Sequence, residues 1–166
     1  MPSSSPPLRL VPLDAQLRPA LLRLRVHPAQ VCYVGAIGDL LADADHCPDC
    51  SSLVIALDER PIGYCRVDPH PRAVAGRELE LPALALRSFF IDAEQQGHGY
   101  GSQALNLLLE TLRRQRPQAQ LLALTVSRRN RGAWALYRRS GFTDDGPLYH
   151  DPRTGPLHLM RYRLRP

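Results

Sequence analysis

Apolar residues recur along this chain in two spacings, one typical of strands and one typical of helices. Runs with strand alternation or β-branched content cover residues 8–13, 52–57, 62–67, 84–91, 121–126, 142–144 and 157–164. Apolar positions three and four residues apart predict helices at about residues 14–24, 38–44, 102–116 and 130–140. Because strands and helices interleave along the whole sequence, we predict one mixed α/β domain.

Turn-forming residues separate these segments. Asp14 can cap the first helix, and the composition of residues 58–61 predicts a hairpin between the second and third strands. Gly141 is expected to close the last helix in a left-handed conformation. Residues 69–82, and the Gly/Pro-rich stretch before the last strand, are predicted to be loops.

Length and composition restrict the class of protein. The 166 residues suffice for one domain with its own core, which we assign to residues 8–166. Residues 1–7 lack the basic and apolar regions of a signal peptide and are expected to form a disordered tail. No stretch approaches the roughly 18 apolar residues of a membrane span, so we expect a cytoplasmic protein with no membrane partner.

The charge excludes one function and leaves others open. All 21 basic residues are arginine, so a P-loop NTPase, which needs a lysine in its phosphate loop, is excluded. The net charge of +5 suits an anionic ligand, and a basic nucleic-acid-binding module is a competing hypothesis. Because the arginines are scattered and aromatic residues are few, we favour a solvated basic surface without a nucleic-acid partner.

Four cysteines occur, and reduced thiols are expected in a cytoplasmic chain: Cys32, Cys47, Cys50 and Cys65. Cys47 and Cys50 form a lone C-x-x-C motif preceded by His46, for which a structural metal and a redox pair are alternatives. Zinc would need a fourth ligand, and no second C-x-x-C or H-x-H pair supplies one. We therefore predict ordinary loop cysteines and no metal site.

A glycine run between the fourth strand and the long helix carries the strongest chemical signal. With Gly97, Gly99 and Gly101 in the turn, backbone N–H groups can approach an anion closely, and the following helix dipole adds attraction. This predicts a pyrophosphate-binding loop, the alternative being a tight turn without a ligand. Two features argue against a Rossmann dinucleotide site. The glycine spacing is G-x-G-x-G, and the next strand, 121–126, is followed by Ser-Arg-Arg where a Rossmann site has an acidic residue.

Two motifs together resemble a known family. Residues 96–101 fit the pattern Q/R-x-x-G-x-G/A, and residues 130–137 fit an N-x-x-A-x-x-x-Y helix that a Gly-Phe pair follows. This pairing resembles the GNAT superfamily of N-acetyltransferases over essentially residues 8–165, and residues 87–92 look similar to its diamine and spermidine acetyltransferase-like subgroup. The resemblance implies the GNAT fold, a single mixed, mostly antiparallel sheet of six to seven strands flanked by about four helices.

The resemblance also implies how acetyl-CoA (CoA) would be held. The implied cofactor-binding residues are Phe90, Ile91, Gln96, Gly97, His98, Gly99, Tyr100, Gly101, Ser102, Asn130, Ala133 and Tyr137. The glycine loop would hold the pyrophosphate, and Gln96 would orient that loop. The main chain of Phe90 and Ile91 would pair with the pantetheine arm like an added strand. Asn130 would cap its helix and touch the cofactor, and His98 would contact phosphate.

Catalysis would need an acid and a base. Tyr137 is the candidate acid, because a phenol with a pKa of about 10 suits a departing thiolate; a core tyrosine with a satisfied hydroxyl is the alternative. The candidate bases are Asp92, Glu94, Glu80 and Glu78, each of which has a solvated carboxylate as its alternative. The resemblance requires neither an acyl-cysteine nor a metal, so we expect direct transfer in a ternary complex.

The predicted function is an acetyl-CoA-dependent N-acetyltransferase that acts on the primary amine of a small molecule, either a polyamine or an amino-acid derivative. Alternatives are a protein N-terminus or an aminoglycoside-type antibiotic as acceptor, and a non-catalytic acyl-CoA sensor. The acceptor pocket is expected at about residues 32–49 and 146–156, where aspartates could attract a polycation: Asp39, Asp43, Asp45, Asp49 and Asp151. A homodimer through the terminal strands is compatible with the resemblance.

Overall fold

Strands and helices alternate in a computed structural model that describes residues 7–166, so the predicted tail at residues 1–7 lies outside the described residues except for Pro7. The strands are β1 (Leu8–Pro12), β2 (Ser51–Leu57), β3 (Arg60–Asp68), β4 (Ala83–Ile91), β5 (Leu121–Ser127), β6 (Thr143–Asp151) and β7 (Gly155–Arg163). The α-helices of this part of the chain are α1 (Arg18–Leu22), α2 (Val31–Val34), α3 (Ile37–Asp45), α4 (Arg72–Ala75), α5 (Tyr100–Gln115) and α6 (Arg131–Arg139). None of these helices is long and apolar enough to cross a membrane.

The strands form one seven-stranded sheet in the order β1-β2-β3-β4-β5-β7-β6. All neighbours are antiparallel except β4 and β5, which are parallel. This confirms the predicted mixed, mostly antiparallel sheet and the α/β class. The helices longer than five residues, α3, α5 and α6, correspond to predicted helices.

The sheet opens between β4 and β5. These two strands pair only between Ala83–Ala85 and Leu121–Ala123, although both continue for several residues beyond. The second half of β4 is paired with β3 along one edge and is not paired with β5 along the other. The opening therefore exposes main-chain groups of β4 between two diverging strands.

Two apolar layers hold this sheet. On one face, α5 buries its stripe of Leu105, Leu108 and Leu112 in a cluster with residues of β3, β4 and β5. On the other face, Leu21 of α1 and Leu41 of α3 pack in a cluster with side chains of β2, β3 and β4. Each fully buried leucine contributes about 1.5–3 kcal/mol of burial free energy, so both layers stabilise the central strands strongly.

Two predicted loops contain regular structure. The loop 69–82 includes the short helix α4, and the Gly/Pro-rich stretch is mostly strand, because β6 continues through Gly146 and Pro147. β6 is an edge strand with register shifts at these two residues, so the N–H that proline lacks is not needed for pairing there. The predicted left-handed conformation at Gly141 is confirmed by its φ of 103°.

The cysteines differ from expectation. Cys32 and Cys65 are free, as expected, but Cys47 and Cys50 are joined by a disulfide. The turn between them brings their Cα atoms to 5.3 Å, within the range that a disulfide spans, so the expectation of reduced thiols is wrong for this pair.

Gly63 marks the closest approach within the sheet. A Cβ at this position on β3 would collide with the main-chain oxygen of Phe90 on β4. We therefore expect Gly63→Ala to destabilise the protein by about 1–3 kcal/mol, measured by urea denaturation. The matched control is Gly38→Ala in α3, whose new methyl group would lie 3.8 Å from Leu22, an ordinary contact. Helix propensity should make the control neutral or stabilising, by up to about 1 kcal/mol, and equal effects of both changes would refute this account.

Candidate active site

Two cavities meet at the opening in the sheet. The first, about 320 Å³, lies between the end of β4, the glycine run, the start of α5 and one side of α6; we call it the glycine-loop cavity. The second, about 300 Å³, lies between the diverging halves of β4 and β5, α2 and the β6–β7 turn; we call it the split-strand cavity. Residues of β4 and α6 line both, so the two cavities share one boundary.

The glycine run presents main-chain N–H groups to the glycine-loop cavity. Gly97 and Gly99 have φ values of 80° and 81°, which side chains disfavour, although a Cβ at either would meet nothing within 4 Å. The requirement for glycine here is therefore conformational. The first helical bond of α5 runs from Gln103 to the carbonyl of Gly99, so the amides of residues 100–102 have no partner within the helix. Because these residues line the cavity at the positive end of a 16-residue helix, the cavity suits an anion.

Gln96 connects the glycine run to two other segments. Its Nε2 donates to the carbonyl of Ile91 at 2.9 Å and to Oε1 of Gln30 at 2.8 Å. Its Oε1 accepts from Nε2 of Gln30 at 3.0 Å, which makes the amide pair reciprocal. Gln30 also lines the cavity, and the sequence had given no signal for it.

Alternation along β4 decides which main-chain groups face the opening. The N–H of Asp92 donates to the carbonyl of Ile62 on β3 at 2.7 Å, and the carbonyl of Phe90 also points at β3, against Gly63. Because successive residues of a strand direct their main-chain groups to opposite edges, those of Ile91 face away from β3. The main chain of Phe90 is taken up by β3, so the expectation that it pairs with the pantetheine arm is wrong. Since Gln96 occupies the Ile91 carbonyl, the Ile91 N–H is free for a ligand at this edge, and alternation directs the main-chain groups of Phe89 the same way.

Tyr137 of α6 lies at the boundary of the two cavities and lines both. Its ring packs edge-on against Phe89 and Phe142, with centroids 6.4 and 5.5 Å away. Burial, together with the neighbouring Cys65, raises the pKa of this phenol above its ordinary value, and no hydrogen bond from a described side chain contributes to that shift. The hydroxyl therefore stays protonated near neutral pH and can act as a donor to a group bound between the cavities.

Asn130 lies at the N-cap position of α6 without capping it. Its carbonyl accepts the N–H of Trp134 at 3.0 Å, but its side chain makes no capping hydrogen bond, so the predicted capping role is wrong. The side chain is not engaged by the helix, and the residue lines both cavities next to Ala133.

The split-strand cavity has a charged lining of Arg87 from β4 and Asp151 and Arg153 from the β6–β7 turn. Nη1 of Arg87 lies 3.3 Å from the carboxylate of Asp68, and Nη2 lies 3.5 Å from that of Asp43. These are long contacts, so Arg87 retains donor capacity on the cavity side. Backbone N–H groups of Thr154 and Arg153 donate to Asp151 and lower the pKa of its carboxyl, which keeps it charged.

The structure brings together most, but not all, of the predicted residues. All the predicted cofactor-binding positions line the glycine-loop cavity except His98, whose ring stacks on Tyr100 and whose Nδ1 lies 3.1 Å from the carbonyl oxygen of Gln95. None of the four candidate bases lines either cavity. Asp92 instead accepts the N–H of Arg25 at 2.8 Å, and Glu80 forms an ion pair with Arg161.

Sequence reasoning missed several lining residues besides Gln30. Arg139, two residues after Tyr137, adds a positive charge to the glycine-loop cavity. Because Arg139 lies so close in sequence to the predicted tyrosine, the sequence could have indicated that it borders the same cavity. Arg87 begins the segment 87–92 that carried part of the family resemblance, so its position in the sequence was also a usable signal. Nothing local indicated that Arg153 would reach the opening from the distant β6–β7 turn.

Comparisons with known proteins agree on one family. The model described as "Acetyltransferase (GNAT) family" matches residues 18–142. The N-acetyltransferase YbbJ of Bacillus subtilis, itself uncharacterized, is 30% identical over 119 residues, which span 72% of each chain.

Solved structures extend the likeness over nearly the whole chain. Spermidine N-acetyltransferase from Vibrio cholerae, in complex with CoA and spermine, is 16% identical with a TM-score of 0.69 and covers 95% of each chain. An aminoglycoside N(6')-acetyltransferase from Legionella pneumophila is 15% identical with a TM-score of 0.72, covering 95% of this chain and 92% of its own. At these identities the likeness establishes the fold alone.

Asp144 of β6 holds α6, and so Tyr137, in place. Its carboxylate accepts the indole N–H of Trp134 at 2.9 Å and contacts Nδ1 of His158 at 2.8 Å. Burial alone would raise the pKa of this carboxyl, but hydrogen bonds from Trp134, Gly146 and His158 outweigh it and lower the pKa.

A carboxyl with a lowered pKa stabilises the fold above its unfolded pKa of about 3.9, and this stabilisation is lost as pH falls below it. We therefore expect Asp144→Asn to destabilise the protein by about 1–3 kcal/mol at pH 7, with the difference from wild type shrinking towards pH 3. Chemical denaturation across this pH range measures it. Asp39→Asn, at an exposed position in the first turn of α3, is the control and should cost at most about 1 kcal/mol, the contribution of a carboxylate near a helix N-terminus. A pH-independent loss for Asp144→Asn would contradict the charge argument.

Proposed function

Because this chain belongs to the acetyltransferase (GNAT) family and is an N-acetyltransferase, we propose that it transfers the acetyl group of acetyl-CoA to the primary amine of a small molecule that also carries an anionic group. The position of Tyr137 carries the proposal. This one residue borders a cavity that suits a pyrophosphate and a second cavity with charged groups for an acceptor.

The residues of the glycine-loop cavity fit coenzyme A. Unpaired amides at residues 100–102, the positive end of α5 and the cation of Arg139 all favour phosphate groups. The free edge of β4 offers the Ile91 N–H to an extended arm that lies along it. When bound, acetyl-CoA supplies an acetyl group activated as a thioester.

The chain's own groups would then act on the transfer. The Ile91 N–H would donate to the acetyl oxygen, which stabilises negative charge as the amine attacks. As the new N–C bond forms and the C–S bond breaks, Tyr137 would donate its proton to the departing sulfur. The phenolate would recover a proton from the acetylated nitrogen, so the site returns to its starting state.

The acidic groups expected to attract a polyamine are largely used within the protein. Asp43 pairs with Arg66 at 2.8 Å, Asp45 pairs with Arg18 at 2.8 Å, and Asp49 contacts His70. Asp43 and Asp45 are therefore paired with arginines of the protein itself and Asp49 is hydrogen-bonded to a histidine, which weakens the case for a polycationic acceptor.

The groups in the split-strand cavity favour an amino-acid derivative over a polyamine. Asp151 stays ionised and would hold the ammonium group of the acceptor, while Arg87 and Arg153 would hold a carboxylate or another anion. Because its pKa is lowered, the Asp151 carboxylate is also a weak base. We infer that the ammonium proton leaves to water, because the four carboxylates considered as bases do not line the cavities.

Tyr137→Phe tests the catalytic part of the proposal. We expect kcat to fall by about 10²-fold or more, because the proton donor to sulfur is lost. Stabilisation by CoA in a thermal or denaturant assay should remain near wild type, about 2.7 kcal/mol at a hundredfold excess over Kd.

Tyr149→Phe is the matched control, since Tyr149 is 56% exposed on β6 and borders neither cavity. Unchanged turnover in Tyr137→Phe would remove this tyrosine from the chemistry. CoA binding by wild type without turnover on any amine would identify a sensor and overturn the enzymatic proposal.

Amines that differ by one carboxylate test the acceptor class. Lysine against cadaverine, and ornithine against putrescine, form matched pairs that differ only at this group. We expect kcat/KM to favour the carboxylate-bearing member by about tenfold or more, since a charged hydrogen bond is worth about 1.5–3 kcal/mol. Free thiol released from acetyl-CoA gives the rates.

Arg153→Ala should abolish this preference, mainly through KM, whereas Arg9→Ala on the distant strand β1 should preserve it. A preference for the diamines, or for spermidine or an aminoglycoside in the same assay, would contradict the anionic acceptor while leaving acetyl transfer intact.

A further inference from the structure

The turn before β2 and the end of β3 bring three metal-binding groups together. The Sγ atoms of Cys47 and Cys50 and a carboxylate oxygen of Asp68 all lie within 4.8 Å of one another. The strand register explains this meeting. Ser51 pairs with Val67, so the residues one step further out, Cys50 and Asp68, lie beside each other at the end of the same strand pair.

Hydrogen bonds hold the cysteine turn against β3. The N–H of Cys50 donates to the carbonyl of Cys47 at 3.1 Å, which shapes the turn. Nε2 of His70, two residues beyond β3, contacts the carboxylate of Asp49 inside the turn at 2.7 Å. Since both segments are fixed to each other, the three groups are positioned by the fold and need little rearrangement to share a ligand.

Asp68 is an unusual neighbour for two cysteines because it is only 2% exposed. One carboxylate oxygen accepts the N–H of His70 at 2.8 Å, and the other lies 3.3 Å from Nη1 of Arg87. A carboxylate has about four acceptor sites, so both contacts leave capacity for a metal ion. A buried carboxylate also favours additional positive charge nearby.

We propose that Cys47 and Cys50, once reduced, bind a zinc ion together with Asp68, with a fourth coordination position open to water. Thiolate ligands favour zinc over the harder divalent ions. A tetrahedral site with Zn–S bonds of about 2.3 Å places its ligand atoms roughly 3.5–4 Å apart, which is compatible with the observed cluster. This site does not depend on the proposed acetyl transfer.

The chemistry requires a thiol reductant and then the metal. Thiol–disulfide exchange passes two electrons to the Cys47–Cys50 bond, which becomes two thiols while the reductant's two thiols become a disulfide. Zinc then replaces the two thiol protons, which are released to solvent. The oxidised protein, in which both sulfurs are bonded to each other, should not bind the metal at this site.

Metal titration of the full chain tests the site. The protein is reduced, freed of metal with a chelator, and titrated anaerobically with Zn²⁺ or Co²⁺. We expect one equivalent of zinc per chain, and a cobalt form with sulfur-to-metal charge-transfer absorption and the visible bands of tetrahedral coordination. Both signals should be absent without the reduction step.

Variants assign the ligands. Cys47→Ser and Cys50→Ser should lose the charge-transfer signal, whereas Cys32→Ser, at the exposed free cysteine, should keep it. Asp68→Asn should weaken zinc binding at least tenfold, as losses of even supporting residues cost about 10–100-fold. Circular dichroism confirms that each variant is folded before titration, and the cysteine variants suffice should Asp68→Asn not fold. No zinc uptake by the reduced wild type, or undiminished uptake by both Cys→Ser variants, would overturn the proposal and leave the pair as a disulfide staple.

Discussion

The incomplete pairing of β4 with β5 is the constraint on which the site depends. A buried main-chain group without a partner costs about 1–3 kcal/mol, so strands in a core normally pair along their full length. Here they part after three residues each, and the fold must satisfy the freed edge in another way. Gln96 takes one carbonyl, and the ring of Tyr137 packs against Phe89 beside the opening. The remaining edge is the one along which the proposed cofactor would lie.

A second irregularity directs the side chain of Arg87 into the split-strand cavity. The register between β3 and β4 shifts at Arg66, so Ser88 pairs with Arg66 while Leu86 pairs with Val67, and Arg87 becomes the extra residue. Such bulges re-aim a side chain. Arg87 thereby reaches the split-strand cavity while contacting Asp43 and Asp68. The same carboxylate of Asp43 compensates Arg66, which is 2% exposed. The bulge at Arg87 and the ion pairs of Asp43 with Arg66 and Arg87 therefore hold one another in position.

Local signals predicted the parts of the site that are themselves local. The glycine run, the end of β4 and the tyrosine of α6 lie within short motifs, and their elements begin and end within a few residues of the prediction. Gln30 and Arg153 could not be found this way, because only the tertiary fold brings the turn before α2 and the β6–β7 turn to the opening. Asp68 was missed as a neighbour of the cysteines for the same reason, since strand register places it there. The error at β6 arose because Gly and Pro residues indicate a loop by composition, whereas an edge strand tolerates both.

The division of labour between the two cavities has a consequence for how this scaffold changes. Among residues 7–166, the two linings share Val34, Phe89, Asn130, Ala133 and Tyr137. The β6–β7 turn lines the split-strand cavity alone, so this turn can be exchanged while the glycine-loop cavity and its boundary at Tyr137 stay as they are. Grafting this turn from a relative would therefore change one cavity of the scaffold without rebuilding the other.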